Sequence, residues 1–384
     1  MRCPLPAKKK ITSKTFDFFI DPLKLVLPCV PELLPRGDRP FKMNFEDQLK
    51  ALIYYHLQEH DSARHLNQDL NENEFAKQCI APDGGISRSS FSEAINGRGL
   101  EQLQAVFQGL YEQAKNVLPK EYAELGDLVS IDGSLIDAVL SMYWADYRKG
   151  SKKAKGHFGF NINQGIPTKV FLTDGKGGER PFVSLILSPG QTGVMDRGYQ
   201  CHNDFDKLQA EGKHFACRIK ISTTKTVIKE YPIPLDSFVF YDAEVLLGTP
   251  GVNQTQKPVR LVGYEVEGVQ YFIATDRHDL TAEQIATVYK LRWRIETFFK
   301  WWKKHLKVYH LIARSEYGLM VQILGGLITY LLMAIYCNKQ FNEKVTIKRI
   351  RELRSTILNE LYTGNKGKPD KKISKNKKRS YAKT

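Results

Sequence analysis

Five side chains with complementary chemistry recur at helical spacing in the C-terminal third of the chain. On a helix of about 100° per residue they fall within an arc of about 80°. The five are Tyr289, Arg292, Glu296, Lys300 and Lys303. One carboxylate among cations suits a phosphate-bearing substrate, because the acid can hold Mg²⁺ while the cations bind phosphate oxygens. The alternative is a surface ladder of ion pairs, which is common and contributes little to stability.

Two aspartates elsewhere in the chain stand at the end of short apolar runs. Asp132 ends the run LVSID and Asp196 ends the run GVMD, and a glycine follows each within two residues. Both patterns predict a strand that ends at the aspartate, where its carboxylate lies at the rim of a sheet and can meet a ligand. For a single aspartate, a turn or helix-cap role is more common, and Asp174 and Asp276 occupy similar positions.

Taken together, these acids meet the requirement of a two-metal site. Two Mg²⁺ ions need about three oxygen-donating carboxylates, and Mn²⁺ can replace Mg²⁺ among such ligands. A phosphodiester also needs positive charge along its path, which Arg292, Lys300 and Lys303 can supply. The candidate catalytic and metal-binding residues are Asp132, Asp196 and Glu296.

The order and spacing of these residues resemble a known signature. The pattern Tyr289-x2-Arg292-x3-Glu296-x6-Lys303 is similar to the Y-R-E-K signature of DDE transposases in the insertion-sequence-4 group. The segments IDGS and MDRGY, which contain the two aspartates, resemble the two aspartate regions of that group. The resemblance spans nearly half of the chain.

This resemblance implies both a fold and a function. The implied fold is α/β, a ribonuclease-H-like mixed sheet flanked by helices, with Asp132 on the first strand, Asp196 after the fourth and Glu296 on a later helix. The implied protein is a cut-and-paste transposase that uses two Mg²⁺ ions, binds the inverted ends of its insertion sequence and target DNA, and acts as a homodimer. The residues implied to hold DNA phosphates near the transposon end are Tyr289, Arg292 and Lys303.

Two other classes of protein fit parts of the sequence. A catalytically inactive, sequence-specific DNA-binding protein derived from a transposase would share these features. A membrane protein would use residues 317–337, which carry no charge, as its anchor, although a helix buried in a large core has the same composition.

The sequence also leaves a DNA hairpin intermediate open. Some relatives stack a Trp of an inserted domain on a flipped base. No Trp lies between Asp196 and Arg292 in this chain. The aromatic residues in the inserted segment that could take the place of this Trp are Tyr231, Phe238, Phe240 and Tyr241.

Changes in composition along the chain predict six segments. They are an irregular Pro-rich arm (1–41), an all-helical DNA-binding domain (42–122), the first part of the catalytic core (123–200), a β-rich insertion domain (201–278), the second part of the core with the Glu-bearing helix and a buried apolar helix (279–345), and a C-terminal helix with a basic tail (346–384).

Within the helical domain, a short polar helix is the candidate for reading DNA. Ser90 and Glu93 have the spacing of a capping box at its start. The alternative is an ordinary small helical domain without DNA contacts. The candidate contacts to bases or phosphates are Arg88, Ser89, Ser92, Asn96 and Arg98.

Composition narrows the class of protein. With 384 residues, 42% of them hydrophobic, the chain can bury a sizeable core, which excludes wholesale disorder. The net charge of +15 indicates a polyanionic partner such as double-stranded DNA. Residues 365–384 hold eight Lys and one Arg against one Asp. This basic segment is either a solubilising end or a non-specific contact to phosphates.

Cysteine use and the N-terminus predict a cytoplasmic, nucleoid-associated protein without disulfides. The six cysteines form no CxxC pair, and the first residues lack the apolar run of a signal peptide. A zinc site is an alternative that the spacing does not favour. Its ligands would be Cys201, His202, His214 and Cys217.

Overall fold

The computed structural model describes residues 13–35, 40–305 and 310–362. Helices flank a mixed sheet, which within these ranges has ten strands. The strands are β1 (Leu128–Ala138), β2 (Asp146–Arg148), β3 (Ser151–Asn161), β4 (Ile166–Asp174), β5 (Thr192–Met195), β6 (His214–Ile219), β7 (Lys225–Glu230), β8 (Val239–Leu247), β9 (Val259–Val266) and β10 (Val269–Thr275).

Three parallel strands form the middle of this sheet. β5 lies between β1 and β6 and pairs with both in parallel. β3 pairs antiparallel with β1 and β4, and the short β2 also pairs with β3. Beyond β6 the sheet continues antiparallel through β10, β9, β8 and β7. The predicted α/β class with a mixed sheet is confirmed, and the β-rich segment 201–278 extends the same sheet that contains β1 and β5.

The pairs Gln164-Gly165 and Glu267-Gly268 each separate two runs of alternating apolar residues, so the sequence predicts a hairpin at each. Both hairpins form. β3 and β4 are joined through Gln164 and Gly165, and the glycine has a φ of 71°. β9 and β10 are joined by Glu267 and Gly268, with φ of 52° and 76°. Two successive positive φ values define the type I′ turn whose twist matches that of the paired strands.

The prediction that Asp132 ends its strand is wrong. β1 continues to Ala138 because β3 pairs with it along this whole length. Gly133 leaves room for a neighbouring carboxylate, since a Cβ there would lie 2.7 Å from Glu179 Oε1. Asp196 follows β5 directly, as predicted, although β5 is the fifth strand because the short β2 intervenes.

Most of the helices precede or follow the strand region in sequence, and α7 and α8 lie within it. They are α1 (Lys14–Ile20), α2 (Leu23–Val26), α3 (Phe45–Leu57), α4 (Ala63–Glu72), α5 (Arg88–Gly97), α6 (Leu100–Val117), α7 (Pro181–Ile186), α8 (His202–Ala210), α9 (Ala282–Lys290), α10 (Trp293–His305), α11 (Glu316–Phe341) and α12 (Ile347–Tyr362).

The helices of segment 42–122 share one hydrophobic core with α10, α11 and α12. α3 approaches α11 closely, because a Cβ on Gly325 would lie 3.0 Å from Leu52 Cβ. A Cβ on Gly326 would lie 3.2 Å from Trp302 Nε1 of α10. Glycines on α11 therefore let α3 and α10 pack against the same helix. The predicted helical domain is joined to the C-terminal half of the chain through this core.

The prediction of an irregular arm is wrong for residues 14–26. Ser13 caps α1 by accepting a hydrogen bond from the Phe16 N–H, and both Phe16 and Phe19 are buried. Apolar residues three positions apart lie on one face of a helix and can pack against the core. The prediction of an irregular segment relied on the nearby prolines and overlooked this spacing. Residues 1–12 and 36–39 of the predicted arm, and the basic tail from residue 363, lie outside the described residues.

α11 is long and apolar enough to cross a membrane, and among the described residues no other helix is. However, 94% of its most apolar window is buried within the protein. This burial favours the interpretation of α11 as a core helix rather than an anchor.

If α11 is a core helix, shortening a buried side chain on it should destabilise the purified protein in the absence of detergent. Leu327 is fully buried. We expect Leu327→Ala to lower the free energy of unfolding in urea by about 2–5 kcal/mol through lost burial and the cavity left behind. The control is Leu25→Ala at a position that is 74% exposed, which should stay within about 0.5 kcal/mol. Equal effects of the two substitutions would contradict the assignment.

Candidate active site

The segment that contains Glu296 forms two helices where the sequence predicts one. α9 begins with a capping box between Thr281 and Gln284, and α10 begins at Trp293. Between them the backbone hydrogen bonds tighten, since the N–H of Arg292 donates to the carbonyl three residues earlier. The break places Arg292 in the link between the helices, while Glu296 lies in the first turn of α10.

The two predicted aspartates lie beside each other at neighbouring strands. Ser130 of β1 is opposite Val194 of β5 in the parallel pair. Asp132 comes two residues after Ser130 within β1, and Asp196 comes two residues after Val194, directly after the end of β5 and still in an extended conformation. Residues two apart on an extended chain leave the same face of a sheet. Neighbouring strands are about 4.8 Å apart, so the two carboxylates can reach a common region. The negative charge of Asp196 is close enough to contribute to raising the pKa of Asp132.

Arg292 connects the aspartate pair to Glu296. Its Nη2 donates to Glu296 Oε1 at 2.7 Å, and its Nη1 lies 3.8 Å from Asp132 Oδ2. The side chain is 10% exposed, so this guanidinium interacts with the two carboxylates under limited solvent screening. The three predicted acids therefore belong to one neighbourhood: Arg292 joins Asp132 to Glu296, and Asp196 interacts with Asp132.

Backbone amides fix the two aspartate carboxylates. Asp132 Oδ1 accepts from the Gly133 N–H and Asp196 Oδ1 accepts from the Gly198 N–H, each at 2.8 Å. Burial nevertheless raises the pKa of Asp132 to about 7, although the Gly133 N–H and Arg292 act in the opposite direction. The site thus concentrates negative charge that the protein only partly compensates.

A fourth carboxylate at this site was not found by sequence reasoning. Glu179 lies over Gly133, its Oε1 is 3.3 Å from Lys155 Nζ, and it accepts a hydrogen bond from the Tyr199 hydroxyl. Glu179 also contributes to raising the pKa of Asp132. The glycine after Asp132 is the one sequence signal for it, since a glycine within a strand often marks a close approach.

The donors of the site fit hard divalent cations. Carboxylate oxygens are the ligands that Mg²⁺ and Mn²⁺ prefer, and Asp132, Asp196 and Glu296 each offer one. Among the described residues, these three do not form a group whose ligand oxygens all lie within 4.8 Å of one another. Arg292 stands between Asp132 and Glu296, so it separates their carboxylates in this structure. Two cations a few ångströms apart would not need all three acids on one ion.

The cationic and phenolic residues of the predicted helical face have different exposures. Tyr289 is buried, and its hydroxyl interacts with Arg292. Lys303 is half-buried, and its Nζ donates to the Leu135 carbonyl of β1 at 2.8 Å. Lys300 is exposed on the surface of α10. Of these side chains, Lys300 is therefore the one open to an external phosphate without rearrangement.

The predicted DNA-contact residues on α5 divide into two groups. Arg88, Ser89 and Ser92 are exposed. Asn96 Oδ1 instead accepts from the Ser315 hydroxyl at 2.7 Å, which joins α5 to the start of α11. The guanidinium of Arg98 lies 4.3 Å from the centre of the Phe41 ring and donates to the Met43 carbonyl.

The predicted capping box between Ser90 and Glu93 is wrong. α5 begins at Arg88, and Ser87 caps it by accepting from the Ser90 N–H. The signal failed because four serines lie close together, and each has the chemistry of an N-cap residue.

The alternative zinc ligands do not converge. His214 pairs with Asp276 at 2.8 Å, while His202 Nδ1 lies 2.8 Å from the Asn253 carbonyl oxygen. The Cys217 thiol is buried against the Asp196 carbonyl. Residues that are close in sequence therefore have separate partners in the structure, and among the described residues these four do not form a metal-binding group.

A family comparison agrees with this architecture. The family model for the transposase DDE domain matches residues 124–332, which is more than half of the chain. The protein therefore belongs to the family of transposases with a DDE domain. The similarity predicted from the Y-R-E-K spacing and the two aspartate segments is confirmed at the level of this family, and the relatives indicate an insertion-sequence-4-like kind.

Several similar proteins are named as transposases, and two of the three described next are named for an insertion sequence element. One from Synechocystis, named for element IS4SA, is 24% identical over 261 residues, which covers 65% of this chain and 72% of that protein. Transposase y4zB of Sinorhizobium fredii is 28% identical over 199 residues. A protein of Geobacillus stearothermophilus named for IS5377 is 26% identical over 192 residues. The chain spans only 56% and 51% of the last two.

The buried negative charge of Asp132 should destabilise the folded protein when no cation is bound. Its pKa is raised to about 7, so the aspartate opposes folding at pH 8 and is neutral in both states near pH 3. We expect Asp132→Asn to raise the free energy of unfolding in EDTA by about 1–3 kcal/mol at pH 8. This gain should shrink as pH falls from about 7 towards 4. Urea unfolding at several pH values measures it, and a gain that does not depend on pH would refute the electrostatic account.

Proposed function

We propose that the protein is a cut-and-paste DNA transposase that binds the inverted ends of its insertion sequence and performs metal-dependent hydrolysis and strand transfer. The observation that carries this proposal is the level placement of Asp132 and Asp196 beside the helix that bears Glu296. Membership of the DDE family supports it. Its partners are double-stranded transposon ends and target DNA in the bacterial cytoplasm.

In this proposal Asp132, Asp196 and Glu296 hold two Mg²⁺ ions, for which Mn²⁺ can substitute. Bound Mg²⁺ supplies activation of the attacking oxygen and stabilisation of the leaving oxygen. The Gly133 and Gly198 amides keep the two aspartate carboxylates oriented before substrate arrives. Arg292 partly compensates the charges of Asp132 and Glu296 when they are without cations, and Tyr289 packs against Arg292 and limits its movement.

DNA binding is proposed to use cations on two surfaces. Lys300 lies one helical turn beyond Glu296 on α10, so it can contact the phosphate backbone next to the reacting bond. Arg88 and Ser89 are exposed at the start of α5 and can contact the transposon end. Lys303 and Arg98 already bind carbonyl groups of the protein, so we propose that they support these surfaces from beneath.

Active complexes are proposed to be homodimers, in which two copies hold the two ends of the element. The alternative function is that of a catalytically inactive DNA-binding protein. The presence of all three acids in one neighbourhood favours the enzyme.

Supercoiled DNA that carries the two inverted ends provides the test of catalysis. With Mg²⁺ or Mn²⁺, the protein should nick and join these ends, and EDTA should abolish both steps. Glu296→Gln keeps the size of the side chain but removes its charge, so we expect a loss of at least about 100-fold in cleavage with end binding retained.

The matched control is Glu112→Gln, an exposed glutamate on α6 that should leave cleavage unchanged. If Glu296→Gln cleaves as well as the unsubstituted protein, the assignment of the catalytic residues fails. If the unsubstituted protein binds the ends but never cleaves them with either metal, the inactive DNA-binding protein is the correct alternative.

The role of Lys300 can be measured through the salt dependence of DNA binding. Each phosphate contact releases about one counterion, so Lys300→Ala should lower the slope of log K against log salt by about 1. Because a phosphate contact carries no sequence information, the loss should be similar for end DNA and unrelated DNA. Lys24→Ala, at an exposed lysine on α2, is the control. An unchanged slope for Lys300→Ala would place the DNA path elsewhere.

A further inference from the structure

A second group of metal-binding side chains lies at the junction of α3 and α4, apart from the carboxylate site. Of the residues that the structure describes, only His60, His65 and Asp69 form a group of three with ligand atoms within 4.8 Å of one another. His65 and Asp69 are four residues apart on α4, so they leave the same face of that helix. His60 follows α3, after a turn at Glu59 with a φ of 56°.

His60 is held in one orientation by its surroundings. Its side chain is 1% exposed, and its ring stacks on Tyr55 with the planes 17° apart. Nε2 lies 2.8 Å from Asp69 Oδ2, while Nδ1 lies 3.4 Å from the Tyr55 carbonyl oxygen. The His65 ring approaches the same side chain, with ring centres 4.8 Å apart.

Both ring nitrogens of His60 face an acceptor oxygen, and a neutral imidazole can donate a hydrogen bond to only one of them. A neutral imidazole has one N–H and one lone pair, so it can donate to only one of the two oxygens. A cation at Nε2 would leave the proton on Nδ1, directed at a backbone carbonyl, which is the usual arrangement of a metal-binding histidine.

We propose that His60, His65 and Asp69 bind one transition-metal cation of the Zn²⁺ class. Two imidazoles and a carboxylate suit Zn²⁺ or Co²⁺, whereas Mg²⁺ prefers oxygen ligands alone. His65 is exposed, so solvent can complete the coordination. The site is therefore chemically different from the carboxylates at Asp132 and Glu296.

The proposed cation would connect the end of α3 to α4 and, through α4, to α5. Asn67 and Asn71 of α4 both donate to the Ile86 carbonyl, at 3.1 and 3.0 Å. Ile86 directly precedes Ser87, the residue that caps α5. A metal at this junction would thus fix the position of the exposed helix α5. This role is structural and does not depend on the proposed catalysis.

The test uses the full-length protein with Asp132→Asn and Glu296→Gln, which removes two of the carboxylates of the candidate active site and so weakens metal binding there. This protein should retain about one equivalent of Zn²⁺ after dialysis, and bound Co²⁺ should show the ligand-field absorption of a site with nitrogen ligands. Added Zn²⁺ should also raise the midpoint of thermal unfolding, because it binds the folded state.

Ligand variants in the same background decide between this site and others. His65→Ala and Asp69→Asn should each weaken Zn²⁺ binding by about 10- to 100-fold or more and remove the Co²⁺ signal. His65 is exposed, so its replacement should leave the fold intact, which circular dichroism would verify. The matched controls are His278→Ala and Asp17→Asn, at exposed positions outside the group, and both should bind like the background protein.

Two results would overturn the proposal. One is Zn²⁺ binding of unchanged affinity in both ligand variants, which would assign the metal to other side chains. The other is the absence of stoichiometric Zn²⁺ or Co²⁺ in the background protein. Neither result bears on DNA cleavage, because the background already lacks two of the proposed catalytic acids.

Discussion

The parallel pairing of β1 with β5 is the constraint on which the candidate site depends. It brings Asp132 level with Asp196 and concentrates negative charge at one position of the sheet. Neighbouring groups compensate for part of that charge. Backbone amides hold the aspartates, Arg292 spans Asp132 and Glu296, and Lys155 pairs with the additional acid Glu179. The compensation is incomplete, since burial still raises the pKa of Asp132. A site of this kind stays receptive to cations at a cost in stability, as is common where function requires like charges close together.

A shared core connects this site to the N-terminal helices. α11 contacts α3 at Gly325 and α10 at Gly326, so the helix that bears Glu296 and the first helical segment pack on one central element. The bond between Asn96 and Ser315 joins α5 to the start of the same helix. Interiors packed at this density transmit displacement, so the position of α5 and that of Glu296 are mechanically related. In the proposed function, this is how a surface that reads DNA is held in register with the carboxylates.

Much of the architecture was predictable because local patterns carried it. Alternating apolar residues predicted the strands, positive-φ turn residues predicted both hairpins, and the charge-free run predicted a buried helix. The failures have local causes as well. The break between α9 and α10 depends on shorter-range backbone hydrogen bonds, which the spacing of apolar residues does not reveal. α1 was not predicted because it lies in a Pro-rich segment. Among four nearby serines, only the folded backbone selects Ser87 as the cap of α5.

By itself, the sequence determined which residue types were available for chemistry and in what order, because spacing along a strand or helix fixes the face that a side chain leaves. These patterns identified the three acids Asp132, Asp196 and Glu296 and the Lys and Arg side chains near Glu296 in sequence. They also identified the family that the sequence resembles. Only the tertiary structure decided which of these side chains meet and which are exposed. Three features of the site join residues that are distant in the chain. They are the register between β1 and β5, the position of Arg292 between two acids, and the approach of Glu179 to Gly133. Local propensity contains no information about such distances, since they are set by how separate elements pack.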